Sequence, residues 1–367
     1  MLKHFRIIAA LFVCCGVNAQ TSNSLRVNDL QMIGTHNSYH AGIPTNLMKL
    51  LKRTDPGFAS LQDYVHPSLE RQLDEGVRQL ELDVYSDSKG GLYASPAGPR
   101  LVAEAGLPAD PPFDPQGLMK KPGFKVIHVQ GLDYISNCQP FTACLAAIRN
   151  WSKSHPKHLP VFVLLEMKTD HWKDFMVQPE PITSTTFDQL DKTLLSVFHR
   201  SELITPDDVR GQYSTLEEAI LARGWPRLKK ARGKVIFLLD QRQLSALYAM
   251  GHPSLRGRII FSNAEPGTPE GAFIEVNDPI QDHDQIVSLI KRGYLVRTMT
   301  DSVPSIVDAN DIHRREAGMT SGAQILSTDH PFDDVAPSGY VVRFPNGIVR
   351  CNPVLTNTGC SASALRE

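Results

Sequence analysis

The feature that most constrains the fold is a series of short apolar segments that alternate with amphipathic ones along most of the chain. Eight segments rich in apolar and β-branched residues are each long enough for one strand: 30–34, 77–84, 126–129, 161–167, 234–239, 258–261, 295–299 and 324–327. Amphipathic segments with helical periodicity lie between them, at 144–154, 186–198, 216–223 and 285–291. This alternation predicts an α/β protein with a parallel sheet, and eight strands in 367 residues favour a closed (β/α)8 TIM barrel.

The N-terminus has the pattern of an export signal. Lys3 and Arg6 precede an apolar stretch over residues 7–17, which is followed by a small-residue cleavage pattern ending at Ala19. We predict a signal peptide over residues 1–19, and hence a secreted or periplasmic protein, because the stretch is too short for a membrane anchor. Residues 20–367 are predicted to form a single catalytic barrel domain, with a disulfide-stapled tail from about residue 332 onward.

Charge and cysteine content narrow the class of protein. A formal charge of -1 lacks the basic excess that nucleic-acid-binding domains usually show. Cys138, Cys144, Cys351 and Cys360 follow the predicted signal, and an even number of cysteines in an exported chain indicates disulfides. Three pairings are possible, and we favour Cys138 with Cys144 and Cys351 with Cys360 because each closes a short loop. These spacings do not match those of a structural zinc site.

Polar residues interrupt the apolar pattern where the first four predicted strands end. In chain order they are His36 and Asn37, then Glu81 and Asp83, then His128, and finally Glu166 and Lys168. Side chains two residues apart on a strand share a face, so each Glu-containing pair is expected to point into the barrel mouth, where the C-terminal strand ends meet. Carboxylates buried close together are costly unless a cation or protons neutralise them. The pattern therefore predicts a metal site.

The residue types at this predicted site indicate both the metal and the reaction. Three carboxylates and the Asn37 amide oxygen form an all-oxygen ligand set, which favours Ca2+, with Mg2+ as second choice, over zinc or copper. His36 and His128 follow different strands and are expected to flank a bound phosphodiester, one accepting a proton and the other donating one. A cation beside them can offset the charge on phosphorus. The sequence thus predicts a site for phosphodiester cleavage.

Several of these motifs are similar to those of a known family. The sequence Ile-Gly-Thr-His-Asn-Ser-Tyr at 33–39 resembles the Ser-x-His-Asn-Thr-Tyr motif in the catalytic X region of phosphoinositide-specific phospholipases C. The Glu-x-Asp, His and Glu that follow occur in that family's order. The chain after the signal is similar to the secreted, calcium-dependent phosphoinositide phospholipases C of microbes, notably at 123–128 and 165–168. The second half of the chain is similar mainly in its strand pattern.

The resemblance implies a role for each residue in the motifs. His36 is expected to be the general base toward the inositol 2-hydroxyl, and His128 the general acid for the diacylglycerol oxygen. A 1,2-cyclic inositol phosphate is the expected first product, which water can open in a second step. The residues that the resemblance implies as calcium ligands are Asn37, Glu81, Asp83 and Glu166.

The resemblance also implies a substrate, phosphatidylinositol in a membrane that the protein contacts peripherally. We expect Lys168 to help bind the substrate phosphate. Arg297 on the seventh predicted strand is a second candidate for substrate binding, and Asp329 after the eighth is also expected near the mouth. No nucleic-acid partner and no transmembrane segment are predicted, and we expect a monomer.

Two alternative functions stay open on the sequence alone. A glycerophosphodiester phosphodiesterase or a sphingomyelinase D-like enzyme also combines two histidines with a Glu-x-Asp motif on a barrel. The sequence His36-Asn37 favours the phospholipase, because the glycerophosphodiesterase type has His-Arg-Gly at this point. The non-enzyme alternative is an inactive phosphoinositide-binding module, which the presence of every expected catalytic residue disfavours.

Overall fold

The computed structural model describes residues 24–301, 303–332, 336–345, 347–355 and 360–367, so the predicted signal peptide lies outside the described residues. The described residues form the strands β1 (Leu30–Thr35), β2 (Gln79–Tyr85), β3 (Lys125–Val126), β4 (Val161–Met167), β5 (Val235–Leu239), β6 (Phe261–Ser262), β7 (Phe273–Glu275), β8 (Leu295–Met299), β9 (Ile325–Thr328) and β10 (Val349–Cys351). The α-helices are α1 (Thr45–Thr54), α2 (Pro56–Leu61), α3 (Leu69–Asp74), α4 (Gly98–Glu104), α5 (Phe141–Ser154), α6 (Ser184–Val197), α7 (Pro206–Arg210), α8 (Leu216–Ala222), α9 (Leu228–Ala231), α10 (Ser245–Tyr248), α11 (His283–Arg292), α12 (Pro304–Asp308) and α13 (His313–Ser321). Short 3-10 helices occupy Val27–Asp29, Leu118–Lys120, Arg200–Glu202, Arg242–Leu244, Pro253–Leu255 and Ala362–Leu365.

Eight of the strands form a parallel barrel. Hydrogen-bonded neighbours follow the order β6-β5-β4-β2-β1-β9-β8-β7, and every neighbouring pair in this order is parallel. One parallel bridge, between Asn263 and Phe273, joins β6 to β7 at the two ends of that order. The ring is closed by this bridge, and the predicted (β/α)8 barrel is confirmed.

The barrel strands form where the sequence has uninterrupted apolar runs. Residues 161–165 of β4 and 235–239 of β5 are at most 1% exposed, as expected for parallel strands covered on both faces. The surrounding helices are amphipathic, and α5 buries Leu145, Ile148 and Trp151. Among the described helices, none has both the length and the apolar character that spanning a bilayer requires.

The third predicted strand, 126–129, is wrong as a barrel strand. At this point the chain forms only β3, which pairs antiparallel with the C-terminal end of β2 through Val84 and Val126. Beyond β3 the chain turns back on itself, with Val129 bridged to Asp133. Ile127 donates its amide to the carbonyl of Asp83 at 3.4 Å, so the segment still lies beside the end of β2. His128 therefore reaches the mouth from a loop rather than from a barrel strand.

The barrel strand that sequence reasoning missed is β7. It has only three residues and pairs with β8, with Phe273 opposite Leu295 and Glu275 opposite Arg297. Three residues are too few for a periodic pattern to indicate a strand. The barrel itself stabilises β7 by supplying neighbours on both sides. The other predicted strands and helices are present, with boundaries displaced by a few residues.

The C-terminal tail is attached to the barrel at the end opposite the mouth. Its strand β10 pairs antiparallel with the N-terminal half of β1, with Leu30 opposite Cys351. Disulfides join Cys351 to Cys360 and Cys138 to Cys144, which confirms the predicted pairing. Arg78, just before β2, donates from Nε to the Glu367 side chain at 2.7 Å.

The irregular segment over residues 86–125 is packed rather than open. It contains α4 and the 3-10 helix Leu118–Lys120. Tyr93, Val102 and Met119 of this segment are buried in one apolar cluster with Leu47 of α1. Phe113 packs against the same cluster. The segment therefore forms a second, smaller apolar core that joins α1 to the barrel.

Candidate active site

The turn after β1 carries two predicted site residues and is tied to β2. Asn37 has a left-handed backbone with a φ of 46°, which asparagine adopts more readily than most residues. The Ser38 amide donates to the Glu81 carbonyl at 3.1 Å, and the Ser38 hydroxyl accepts from the Glu81 amide at 2.7 Å. These contacts hold the end of β1 against β2 and bring His36 beside Glu81.

His36 lies between two carboxylates. Its Nδ1 is 3.0 Å from Oδ1 of Asp329, and its Nε2 is 3.7 Å from Oε1 of Glu81. Its carbonyl oxygen accepts a hydrogen bond from the buried ring of His66 at 2.9 Å. Burial lowers the pKa of His36, but the charges of Asp329 and Glu81 outweigh burial and raise this pKa to about 10. The ring is thereby oriented with Nε2 toward the carboxylates of β2.

His128 is held in the same manner by another carboxylate. Its Nδ1 is 2.8 Å from Oδ2 of Asp133, and its Nε2 is 3.3 Å from Nδ2 of Asn37. The Asn37 amide also donates to the hydroxyl of Tyr64 at 2.9 Å. The loop after β3 thus brings His128 against the turn after β1.

Both histidines face one cleft at the barrel mouth. The cleft has a volume of about 400 Å³, a size typical of small-molecule sites. Its polar wall includes His36, Asn37, His128, Asp301, Asp329 and His330. The structure therefore brings the predicted acid-base pair together around a space that can hold a ligand.

The three predicted acidic ligands form a compact cluster. Glu81, Asp83 and Glu166 each contribute an oxygen that lies within 4.8 Å of the other two. Burial raises the pKa of Asp83 to about 6, against the opposing charge of Lys168. Burial, assisted by the charge of Asp83, raises the pKa of Glu166 to about 7, and burial also raises the pKa of Glu81. The nearby cations of Lys168 and Arg297 therefore do not fully offset the effect of burial on these carboxylates.

Lys168 and Arg297, the predicted substrate-binding residues, are both paired with this cluster. The Lys168 ammonium lies 3.2 Å from Asp83 and 3.1 Å from Glu166. Arg297 is 4% exposed and donates from Nη2 to Oε2 of Glu81 at 2.8 Å. Burial lowers the pKa of each cation, but the neighbouring carboxylates outweigh burial and raise it. Both therefore stay charged at the inner wall of the mouth.

The chemistry of the cluster fits a hard divalent cation. Asp83 is fully buried; its Oδ1 has no hydrogen-bond partner among the described residues, and its Oδ2 has only the Lys168 ammonium at 3.2 Å. A buried carboxylate oxygen without a hydrogen-bond partner is costly unless a cation compensates its charge. On the adjoining turn, the Asn37 Oδ1 accepts only a long hydrogen bond, from the Tyr39 hydroxyl at 3.4 Å. Carboxylate and amide oxygens together suit Ca2+ better than zinc or copper.

Sequence reasoning missed the carboxylates that orient the two histidines. Asp329 was expected only to face the mouth, and its position directly after β9 was the available signal. Asp133 lies five residues after His128 in a loop, where no periodic pattern indicates its position. Glu275 at the end of β7 was also missed, and its Oε1 is another buried oxygen without a hydrogen-bond partner in the described chain.

A (β/α)8 barrel with two imidazoles and a carboxylate cluster of cation-ligand chemistry at its mouth is an arrangement that suits a metal-assisted phosphodiesterase. Sequence comparison narrows the class, because the family described as "Phosphoinositide phospholipase C, Ca2+-dependent" matches residues 25–353. The chain belongs to this family. The predicted resemblance, the phosphodiesterase class and the dependence on Ca2+ are thereby confirmed at the level of the family.

Solved bacterial structures share the fold. A calcium-dependent phosphoinositol-specific phospholipase C from a Gram-negative bacterium, Pseudomonas sp, is 17% identical with a TM-score of 0.55, over 90% of this chain and 97% of that chain. A Ca2+-dependent phosphatidylinositol-specific phospholipase C from Streptomyces antibioticus is 18% identical with a TM-score of 0.51, over 83% of this chain and 95% of that chain. At these identities the likeness shows a common fold. No curated protein gives a significant match to the chain.

Proposed function

We propose that the chain cleaves phosphatidylinositol into diacylglycerol and an inositol phosphate, with His36 and His128 as its acid-base pair. The observation that carries this proposal is that both imidazoles face one cleft, each with Nδ1 on a carboxylate. Nε2 of each ring is then the nitrogen available for proton transfer. Two imidazoles arranged in this way suit a reaction that needs a proton removed at one oxygen and supplied at another.

The proposed reaction proceeds by attack of the inositol 2-hydroxyl on phosphorus. His36 takes the proton of this hydroxyl as the new oxygen-phosphorus bond forms. The bond from phosphorus to the diacylglycerol oxygen breaks, and that oxygen receives a proton from His128. The first product is a 1,2-cyclic inositol phosphate, which water opens when the two histidines exchange roles.

Asn37, Glu81, Asp83 and Glu166 are proposed to hold Ca2+. When bound, the ion lowers the pKa of the 2-hydroxyl and offsets negative charge on phosphorus. The charge of Glu81 is one of the two that raise the pKa of His36. If Glu81 held the ion, this charge would be offset, and the neutral ring that a general base requires would be favoured.

Lys168 and Arg297 are proposed to contact the phosphate or the inositol hydroxyls. Support comes from their permanent charge and their position at the inner wall of the mouth. Replacing Lys168 with Met is expected to raise KM for the lipid. An unchanged KM would leave Lys168 only its structural pairing with Asp83, Glu166 and Asp170.

The mouth face is proposed to rest on the membrane that contains the substrate. Several large apolar side chains are exposed in the segments that follow the C-terminal ends of barrel strands: Leu61, Val65, Trp172, Ile280, Val303 and Ile312. Of these, Leu61 and Val303 line the cleft that contains the histidines. Exposed apolar groups at this position can enter a lipid surface while the cleft faces the head groups.

We further propose that the protein is exported and that residues 20–367 form one catalytic domain. Two disulfides support an oxidising compartment. The pairing of β10 with β1 supports a tail that belongs to the barrel domain. The monomeric state stays a prediction.

Phosphorus NMR of the products formed from phosphatidylinositol vesicles tests the proposed function. Cyclic inositol phosphate should form with Ca2+ and not with a chelator. His36→Ala and His128→Ala should each lower the rate by about 100-fold to 10,000-fold with the fold intact. Equal turnover in chelator would remove the metal from the proposal, and phosphatidic acid as product would favour the sphingomyelinase D-like alternative.

A further inference from the structure

Asp133 connects two imidazoles through a single oxygen atom. Its side chain is fully buried, and its Oδ2 is 2.7 Å from Nε2 of His40 and 2.8 Å from Nδ1 of His128. Its other oxygen, Oδ1, has no hydrogen-bond partner among the described residues. One carboxylate oxygen therefore accepts from both rings, and each ring must carry its proton on the nitrogen that faces Asp133.

This arrangement determines the tautomer of His128. A neutral imidazole has one N–H, and the contact with Asp133 requires it at Nδ1. The remaining nitrogen, Nε2, faces Asn37 at 3.3 Å, and the ring lines the cleft. Burial favours the neutral form of Asp133, but the charge of His40 and the hydrogen bonds from both rings outweigh burial and lower its pKa to about 2. The carboxylate thus stays an acceptor.

Backbone and ring contacts hold Asp133 and His40 in place. The Asp133 amide donates to the Val129 carbonyl at 2.9 Å, and the Val129 amide donates back at 3.1 Å. His40 is fully buried, with its ring centroid 4.3 Å from that of Tyr64. Tyr64 in turn accepts from Asn37 at 2.9 Å. These contacts hold the Asp133 carboxylate against Nδ1 of His128.

We infer that Asp133, shared between His40 and His128, is a positioning residue that directs Nε2–H of His128 at the leaving oxygen. The inference rests on the proposed function, in which His128 acts as the acid. As the bond between phosphorus and the diacylglycerol oxygen breaks, that oxygen takes the proton from Nε2. His128 is left neutral, with its Nδ1–H still donated to Asp133. Without this acceptor the ring can rotate or adopt the other tautomer.

The test compares two leaving groups in Asp133→Asn. A diacylglycerol alkoxide needs a proton to leave, whereas the nitrophenolate of p-nitrophenyl myo-inositol phosphate does not. We expect turnover of phosphatidylinositol in micelles to fall on the order of 100-fold to 10,000-fold. Turnover of the nitrophenyl substrate should fall less than about 10-fold, because its leaving group is stable as an anion. A variant that has lost only acid catalysis would show this difference between the two substrates.

A matched control is Asp191→Asn, which also replaces a buried carboxylate. Asp191 is 8% exposed and accepts from the Tyr248 hydroxyl at 2.8 Å, in a contact unrelated to the cleft. This variant should leave the ratio of the two rates unchanged. Because both rates are measured on one preparation, partial loss of folded protein cancels in the ratio.

The outcomes separate this inference from the proposed function. No cleavage of phosphatidylinositol by the unmodified protein would refute the proposed function itself. Cleavage by the unmodified protein, with equal losses for both substrates in Asp133→Asn, would overturn the role of Asp133. If that variant does not fold, nitrogen NMR of the unmodified protein decides the question. A neutral His128 ring protonated at Nδ1 supports the inference, and one protonated at Nε2 overturns it.

Discussion

The imidazole of His36 and the carboxylate of Asp329 meet at 3.0 Å, Nδ1 to Oδ1, across the junction between the first and last barrel strands. The two residues follow β1 and β9, which pair in register with Thr35 opposite Thr328. Residues almost three hundred positions apart in the chain are thus neighbours because the barrel closes. Despite burial, the charge of His36 lowers the pKa of Asp329, so its carboxylate stays ionised and holds Nδ1.

Replacing Asp329 with Asn should lower kcat by about 100-fold to 10,000-fold while KM changes little, because the variant loses the contact that orients His36 as a base. Steady-state kinetics on phosphatidylinositol measure this effect. The matched control is Asp311→Asn, since Asp311 pairs with Nδ1 of the exposed His313 at 2.7 Å. A kcat within a few-fold of the unmodified value would remove Asp329 from the mechanism.

Replacing Glu81 with Gln, or Asp83 with Asn, should weaken Ca2+ binding on the order of 10-fold to 100-fold, because each change removes a negative oxygen ligand. Isothermal titration with Ca2+ measures the affinity without requiring turnover. Glu202→Gln serves as the control, because Glu202 pairs with Arg149 away from the mouth. A calcium titration that either ligand variant leaves unchanged would assign the ion to other residues.

The Ca2+ affinity should depend on pH through the raised pKa values of Glu166 and Asp83. Both carboxyls must be ionised to bind a cation, and their pKa values of about 7 and about 6 mean that protons compete with the ion as the pH falls. The affinity should therefore be constant above about pH 8 and decline progressively below about pH 7. Calorimetry in buffers of different ionisation enthalpy should detect proton release on binding. An affinity independent of pH over this range would contradict the assignment.

Replacing Trp172 or Ile280, which are exposed but do not line the cleft, with Ser should weaken binding to phosphatidylinositol vesicles about 5-fold to 10-fold, the loss expected for one large apolar side chain at a lipid surface. Vesicle sedimentation measures this binding. Turnover of soluble p-nitrophenyl myo-inositol phosphate should not change. Leu195→Ser is the matched control, because Leu195 is 44% exposed in the last turn of α6, a helix that follows β4 and therefore ends on the side of the barrel opposite the mouth. Equal vesicle binding by all variants would exclude the mouth face as the contact.

The sequence predicted those parts of the molecule that depend on local pattern. Long apolar runs indicated most barrel strands, and the motif at 33–39 with the later Glu-x-Asp indicated the site residues. The two disulfides followed from short loops. The errors fell on short elements, because β3 and β7 form only through pairing with neighbouring strands. A strand of two or three residues has no periodicity of its own.

The sequence by itself determined the fold class, the family and the residue types of the site, because strand runs and contiguous motifs are local properties of the chain. Only the tertiary structure decided how these residues are oriented. It paired Asp329 with His36, Asp133 with His128, and Arg297 with Glu81. These pairings depend on the closure of the barrel and on the path of the loop after β3. Both are stabilised by many contacts between residues far apart in the chain, which no local sequence pattern reveals.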